Sequence, residues 1–246
     1  SALDLSDRNI IFDYKFVATG SNSHYKNNQT FLDIKRSYNQ SCLTFEVLLR
    51  GNVHKRAYEI FRKEGPLALL PLNKDKYQII WTASTSKSFD RLNSSKSFLL
   101  DNLSTMLPEN FKLDQIESEV NIFPVSLSLN LPIFNFKKIV FVGDSFHTFH
   151  PVGGQGLNTC WRDVNSIYDI LNNQTFISNK ALNIFKYKYY YKRIIDIFFT
   201  MIVTDSLIRL FANKNPVLLP IRKFSFLLLN NFLFIRRFIL NHMTKS

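Results

Sequence analysis

The stretch from Ile139 to Asp163, IVFVGDSFHTFHPVGGQGLNTCWRD, constrains the fold more than any other part of the chain. It opens on an apolar run, Ile139-Val140-Phe141-Val142, with the composition of a buried strand. The run stops at Gly143-Asp144, passes through a loop with Pro151, Gly153, Gly154 and Gly156, and turns helical near Gln155. Strand, carboxylate, glycine loop, helix is an arrangement suited to a phosphorylated or ribosylated ligand. The Asp accepts hydrogen bonds from sugar hydroxyls, and the glycines admit a ligand to the backbone. The helix N-terminus adds unpaired N–H groups and partial positive charge.

Composition sets the outer limits. A chain of 246 residues builds one large domain or two modest ones around a substantial core. With 46% hydrophobic and 20% charged residues it is globular rather than disordered. The net charge of +12 raises the question of nucleic acid, but the Lys and Arg residues are scattered and no block is interleaved with aromatics. Nucleic acid is therefore not expected. A solvated basic surface or attraction to anionic lipid fits the charge equally well. Cys42 and Cys160 are isolated thiols without metal-type spacing, so a reducing, cytoplasmic setting is the expectation. The opening SALDLSDRNI lacks the pattern of a signal peptide.

Taken in order, Leu3 to Ile11 alternates about a Ser6-Asp7-Arg8-Asn9 turn and reads as a hairpin. Tyr14 to Ala18 reads as a strand entering Thr19-Gly20-Ser21-Asn22-Ser23. Strands are expected over Ser41–Arg50, Tyr58–Phe61, Gly65–Leu72 and Tyr77–Trp81, with Asn73–Lys76 as a turn. Residues 94–107 have helical spacing ending at Pro108, and Val120–Leu129 is strand-like. A helix from Asn158 to Leu171 places Val164, Ile167, Tyr168 and Leu171 on one face. A long helix follows over Ser178–Phe211, opening on a basic aromatic face of Lys186, Lys188, Lys192, Arg193 and four tyrosines. Pro216 to Ile239 is apolar but interrupted by charge, and too short to cross a bilayer. A helix docked on its own domain is the first reading there, and peripheral contact with a membrane surface the sharper alternative.

Several of these segments resemble the FAD-dependent aromatic-ring hydroxylases, a flavoprotein monooxygenase family, and specifically their ubiquinone-biosynthesis branch. The residues that carry the resemblance are Gly143-Asp144, His147-Thr148-Phe149-His150-Pro151, Gly154-Gln155-Gly156-Leu157-Asn158 and Arg162-Asp163. Gly65-Pro66-Leu67-Ala68-Leu69-Leu70-Pro71 and Thr204-Asp205-Ser206-Leu207-Ile208-Arg209-Leu210-Phe211 resemble further segments of the same branch. Near the start, Ala18-Thr19-Gly20-x-x-Ser23 resembles an Ala-Asp-Gly-x-x-Ser motif, with Thr19 where the family carries an acid. The family's Gly-x-Gly-x-x-Gly turn, which anchors the ADP half of the flavin, has no counterpart here.

The resemblance implies a mixed α/β and α+β fold: a partial FAD-binding, Rossmann-like domain without the N-terminal dinucleotide-binding unit, an inserted antiparallel β-sheet substrate domain, and C-terminal helices. The implied boundaries are 1–27 and 131–172 for the FAD-binding part, 28–130 for the substrate sheet, and 173–246 for the helical region. It implies FAD as cofactor and NAD(P)H as reductant, in the O2-dependent hydroxylation of an aromatic, lipophilic quinone precursor. A separate N-terminal chain that complements the site is a further implied partner. Gly143, Asp144, Pro151, Gly154, Gly156, Leu157 and Asn158, with Thr19 and Gly20, are the implied cofactor-binding residues. Asp144 would bind the ribityl chain, Pro151 would lie beside the isoalloxazine, and backbone N–H groups at Gly156–Asn158 would face its pyrimidine edge. Pro66 and Leu67 read as core, with pocket lining as the alternative. Ser145-Phe146 and Thr159-Cys160-Trp161 set bulk where the family carries small residues, which predicts crowding at the helix start. His147 and His150 lack a third ligand at metal spacing, so no metal is expected; structural hydrogen bonding is their first reading, and proton handling the second. The alternative to an enzyme part is a non-catalytic remnant or a membrane- or partner-binding subunit of a quinone-biosynthesis assembly.

Overall fold

The computed structural model describes residues 15–21, 31–50, 56–108, 111–132, 139–172, 179–212 and 215–244. The hairpin expected over Leu3–Ile11 lies outside them.

One strand organises the larger sheet. β2 (Phe31–Arg50) is 20 residues long and pairs antiparallel with β7 (Asn121–Pro132), β5 (Lys76–Ser84) and β6 (Lys112–Ile116). The sheet continues from β5 through β4 (Leu67–Pro71) to β3 (Tyr58–Ile60), and from β7 to the short β9 (His147–Thr148). The sequence reading started this strand only at Ser41. Its first half is polar and lacks alternation; pairing with β7 makes it a strand, which is tertiary context overriding local pattern. Between Ser37 and Gln40 the β2–β7 register shifts and Asn39 takes a φ of 52°, a bulge that re-aims the side chains around it. The turn at Asn73 is held by its own side chain, whose Oδ1 accepts from the N–H groups of Asp75 and Lys76.

The core of this sheet is apolar. Leu43, Phe45, Val47, Leu49, Leu67, Leu69, Tyr77, Ile79 and Trp81 are buried together, closed by Leu99 and Leu103 of α2 (Lys96–Ser104). Ser95 caps that helix by accepting from Phe98 N–H. Pro66 and Leu67 are both buried. Helix α1 (Thr85–Leu92) and strand β6 went unanticipated, because α1 buries only Ser88 and β6 is mostly polar and exposed.

The second core lies where β1 (Lys15–Val17) runs parallel to β8 (Ile139–Phe141). Val17, Val140, Phe141 and Phe146 pack with Leu127 and Leu129 of β7 and with Phe185, Tyr189, Tyr190, Ile197 and Met201 of the long helix α4 (Asn179–Phe211). The far side of β8 is closed by α4: Tyr190 Oη accepts from Phe141 N–H at 3.1 Å, and Tyr189 Oη donates to Phe141 C=O at 3.1 Å. The basic aromatic face expected on α4 is divided by the helical period. Tyr189, Tyr190 and Arg193 turn inward, while Tyr187 and Tyr191 stack on each other outside.

One helix departs from expectation. In α3 (Gln155–Asn172) the buried residues are polar: Gln155, Thr159, Arg162, Asp163 and Ser166. Ile167 packs inward, but Leu157, Trp161, Val164, Tyr168 and Leu171 form an exposed stripe at 4-3-4-3 spacing. The apolar face expected of this helix is therefore mostly the outer one, because the inner face carries an ion-pair network. At the C-terminus, α5 (Leu219–Asn231) and α6 (Leu233–Thr244) bury no residue fully; they lie on their own domain through a half-buried side, with Phe226 against Phe211, Arg222 donating to Leu210 C=O and Phe238 against Phe199. No single described helix is long and apolar enough to cross a membrane; Pro216–Asn231 and Leu233–Thr244 meet at a 92° bend.

Candidate functional site

β8 delivers the chain to Gly143, whose φ of 62° belongs to the left-handed region that a Cβ disfavours. A Cβ there would also lie 3.0 Å from Cys160 Sγ, so the turn and helix α3 touch at this point only because residue 143 is Gly. A short 3-10 turn over Gly143–Ser145 follows. Within it Asp144 faces solvent while Ser145 is buried, donating from Oγ to Gly20 C=O at 3.2 Å. That bond joins two segments separated by more than a hundred residues, bringing Thr19 and Gly20 beside Gly143 and Asp144. Asn130 fastens the same turn from β7, donating from Nδ2 to Ser145 C=O at 2.7 Å.

Asp163 is the hub beneath this turn. Its Oδ2 accepts from Gly143 N–H at 2.9 Å and lies 2.8 Å from His147 Nε2, and its Oδ1 accepts from Arg193 Nε at 2.7 Å. All three side chains are almost wholly buried. Burial alone raises a carboxyl pKa, but the His147 hydrogen bond and the Arg193 charge outweigh it and hold Asp163 below the ordinary value. A carboxylate held ionised makes His147 the donor through Nε2, and its Nδ1 is buried with no partner among the described residues. Arg193 and Arg162 both pair with Asp196, extending the network into α4. The Arg162-Asp163 pair stood out in the sequence, but nothing there marked Arg193 or Asp196 as its partners. They lie 30 and 34 residues beyond the partners they pair with, Asp163 and Arg162, within a helix whose pattern is dominated by aromatics.

The loop that opens α3 is set by a second histidine. Val152 N–H donates to His150 Nδ1 at 3.2 Å, so the proton sits on Nε2, which faces Gln40 Oε1 at 3.1 Å. Gln40 Nε2 in turn donates to Glu64 C=O, fixing the amide's orientation. Burial pushes His150 down to about 4, so the ring is neutral at pH 7. The bulge in β2 makes this chain of bonds reachable: it turns Gln40 toward His150, and the Tyr38 ring meets His150 edge-on. Tyr38 Oη also donates to Asp205 Oδ1 at 3.0 Å, which gives the Thr204-Asp205 segment a place in the site's frame. The two histidines thus serve separate networks.

Pro151 leads to Gly153 and Gly154, with φ of 73° and 58°. A Cβ at Gly154 or Gly156 would meet nothing within 4 Å, so this backbone is open to a ligand. Gly153 N–H donates to both carboxylate oxygens of Glu59 at 3.2 Å, tying β3, the outermost strand of the larger sheet, to the loop. Leu157 is exposed, and the side chain of Asn158 donates to Met243 C=O at 3.2 Å. The predicted crowding is absent at both positions. Phe146 turns into the core against Tyr189 and Tyr190, and Trp161 points outward. Cys160 packs on Gly143 with its thiol pushed up to about 11, by burial first and by Asp144 and Asp163 next.

An FAD isoalloxazine fits what is here: an exposed Asp144, an open glycine backbone, and the first turn of α3 with N–H groups that no helical carbonyl satisfies. A model of the FAD binding domain matches residues 35–175. The uncharacterized protein slr1300 of Synechocystis is 30% identical over 147 residues, covering 60% of this chain and 35% of its own length. The 3-demethoxyubiquinol 3-hydroxylase of Escherichia coli is 26% identical over 187 residues, covering 74% of this chain and 46% of its own length. The chain thus spans less than half the length of these two relatives. Among solved structures, PqsL, a probable FAD-dependent monooxygenase from Pseudomonas aeruginosa, has the same fold, with a TM-score of 0.64 at 18% identity over 81% of this chain and 56% of that one. Gly-Asp turn, glycine loop, curled sheet and family match coincide, and the chain belongs to the FAD binding domain family, that of the FAD-dependent aromatic-ring hydroxylases.

Proposed function

We propose that this chain forms the isoalloxazine end and the substrate sheet of an FAD-dependent monooxygenase that hydroxylates the aromatic ring of a lipophilic quinone precursor, with NAD(P)H as reductant. The observation that carries the reading is the division of labour between two carboxylates. Asp163 is consumed by Gly143, His147 and Arg193, while Asp144, on the same turn, stays exposed beside the open glycine loop. In this reading residues 28–130 hold the substrate sheet, 1–27 and 131–172 the cofactor end, and 173–246 the helical region.

When bound, the flavin supplies the two-electron and oxygen chemistry. The chain's residues bind and orient. Asp144 accepts from ribityl hydroxyls, and Gly143 keeps the turn tight against Cys160. Pro151 shapes the loop beside the ring, and the backbone N–H groups of Gly156, Leu157 and Asn158 stabilise negative charge at its pyrimidine edge. Thr19 and Gly20 close the other side of the Gly143–Ser145 turn through the Ser145 bond. β3–β5 exclude water above the loop, with Glu59 fixing their distance from it.

The ADP half of the cofactor calls for a complementing α/β unit, and the exposed 4-3-4-3 stripe on α3 supports its docking there. A parallel pair such as β1–β8 is ordinarily buried on both faces, which supports the same placement. A cytoplasmic enzyme with peripheral membrane contact fits a lipophilic substrate. The test is reconstitution: the chain is combined with a family dinucleotide-binding unit, then assayed for flavin absorbance and substrate-dependent NAD(P)H oxidation. A yellow, turning-over complex is expected. A well-formed complex that stays colourless overturns the reading and leaves a non-catalytic subunit.

A further inference from the structure

Beyond Asp205 the chain contains seven Lys and Arg residues and no Asp or Glu. Within that segment α5 and α6 bury no residue fully, and Phe224, Phe226, Phe232, Phe234 and Phe238 are each more than half exposed. Apolar rings on the outer side of both helices, with cations and no acid among them, match one surface above others. An anionic phospholipid boundary accepts the rings at acyl-chain depth and the cations at the headgroups. The 92° bend suits two short helices lying against such a boundary, each shorter than a bilayer span.

The far end of this element is not free. α6 finishes on the cofactor loop: Met243 C=O accepts from Asn158 Nδ2 at 3.2 Å, and His242 C=O from Arg162 at 3.5 Å. The His242 ring packs on Phe199 at 4.2 Å, with Nε2 at 2.9 Å from Asp196 Oδ1 but off the hydrogen-bonding direction. Met243 Cε lies 4.0 Å from where a side chain on Gly153 would begin. Asn158 and Arg162 thus cap the carbonyl end of α6, so any shift of that helix is felt at Gly153–Asn158.

We propose that α5–α6 docks on an anionic phospholipid surface and that its anchored end transmits docking to the cofactor loop. The proposal deepens the functional reading above, since it rests on Gly153–Asn158 being the cofactor loop and on a lipophilic substrate. The test is co-sedimentation of the full chain with phosphatidylcholine vesicles, with and without phosphatidylglycerol. Binding is expected only where phosphatidylglycerol is present, and it weakens as salt rises. Lys223→Gln, Arg236→Gln and Arg237→Gln together cut binding by roughly fivefold per charge, about a hundredfold in all, with the thermal melt unchanged. Arg222 is left in place because it donates to Leu210 C=O. Equal binding to both vesicle types, no binding, or vesicle-independent self-association overturns the docking. Hydrogen exchange reads the second half: Gly153–Asn158 amides exchange faster on phosphatidylglycerol vesicles in the natural chain but not in the triple variant. An unchanged loop on bound vesicles overturns the coupling. None of these measurements needs flavin. A colourless reconstituted complex therefore leaves the lipid result standing, and failed docking leaves the flavin result standing.

Discussion

Helix α3 and the α5–α6 pair both turn apolar side chains to solvent, and the way they do so differs. On α3 the exposed residues fall in one stripe, Leu157, Trp161, Val164, Tyr168 and Leu171, while the opposite face is pinned by a buried ion-pair network. On α5–α6 one side of each helix is half-buried, with Phe226 against Phe211 and Phe238 against Phe199, while Phe224, Phe234 and the cations stand on the outer side. A stripe at heptad spacing without a basic fringe is the surface another helix fits. An outer face that mixes rings with cations and no acid fits a fluid boundary that imposes no register. Periodicity and charge, more than apolar area, separate the two kinds of partner.

The largest effect should come from breaking the inner anchor of α3. Asp163→Ala leaves Arg193 and His147 buried without their shared acceptor, which is expected to cost about 3–5 kcal/mol in denaturant unfolding. A loss below about 1 kcal/mol would mean that the inner face is not what holds α3 in place.

Next comes the loop that feeds α3. His150 titrates at about 4 when folded, against an ordinary 6.5, so the unfolded chain binds the extra proton first. The stability from keeping it neutral is fully present above about pH 6.5 and is lost as pH falls through about 4, amounting to at most about 3 kcal/mol. Stability measured across that window should slope, and His150→Gln should flatten it. Asp163 is held below its ordinary 3.8, so its contribution is present above that value and is lost only at lower pH, which keeps the two windows apart.

The outer stripe should separate binding from folding. Trp161→Ser is expected to leave the chain's own unfolding free energy within about 0.5 kcal/mol. It should weaken association with the complementing α/β unit by about 2 kcal/mol, near thirtyfold, read by calorimetric titration. Equal effects on both would make the stripe a feature of this chain's own core. The smallest effect belongs to α6: Phe234→Ser, at a site 79% exposed, should change unfolding by less than about 0.5 kcal/mol. A larger loss in thermal or urea unfolding would show that the outer face of α6 is covered by its own domain as well, and would erase the contrast.

The strand at Ile139, the Gly143-Asp144 turn and the helix beginning at Gln155 were legible in the sequence because each has a local cause: β-branching, a glycine at positive φ, and a glycine loop giving way to helical spacing. The β-sheet of residues 58–84 was legible for the same reason, through alternation and the Asn73 turn. What could not be read was anything set by distant partners. The first half of β2 is a strand because β7 lies beside it, and its bulge at Tyr38–Asn39 exists to serve His150 and Asp205. Arg193 and Asp196 looked like ordinary charges on a long helix until Asp163 and Arg162 were brought against them. The apolar face of α3 was legible and its exposure was not, since a hydrophobic period says which residues group and not what covers them.

The tyrosine pair on β8 carries a consequence for assembly. With both of its backbone groups engaged by Tyr190 and Tyr189 hydroxyls, Phe141 has nothing to offer an incoming strand. Edge-to-edge pairing of copies through Phe141 is thereby closed.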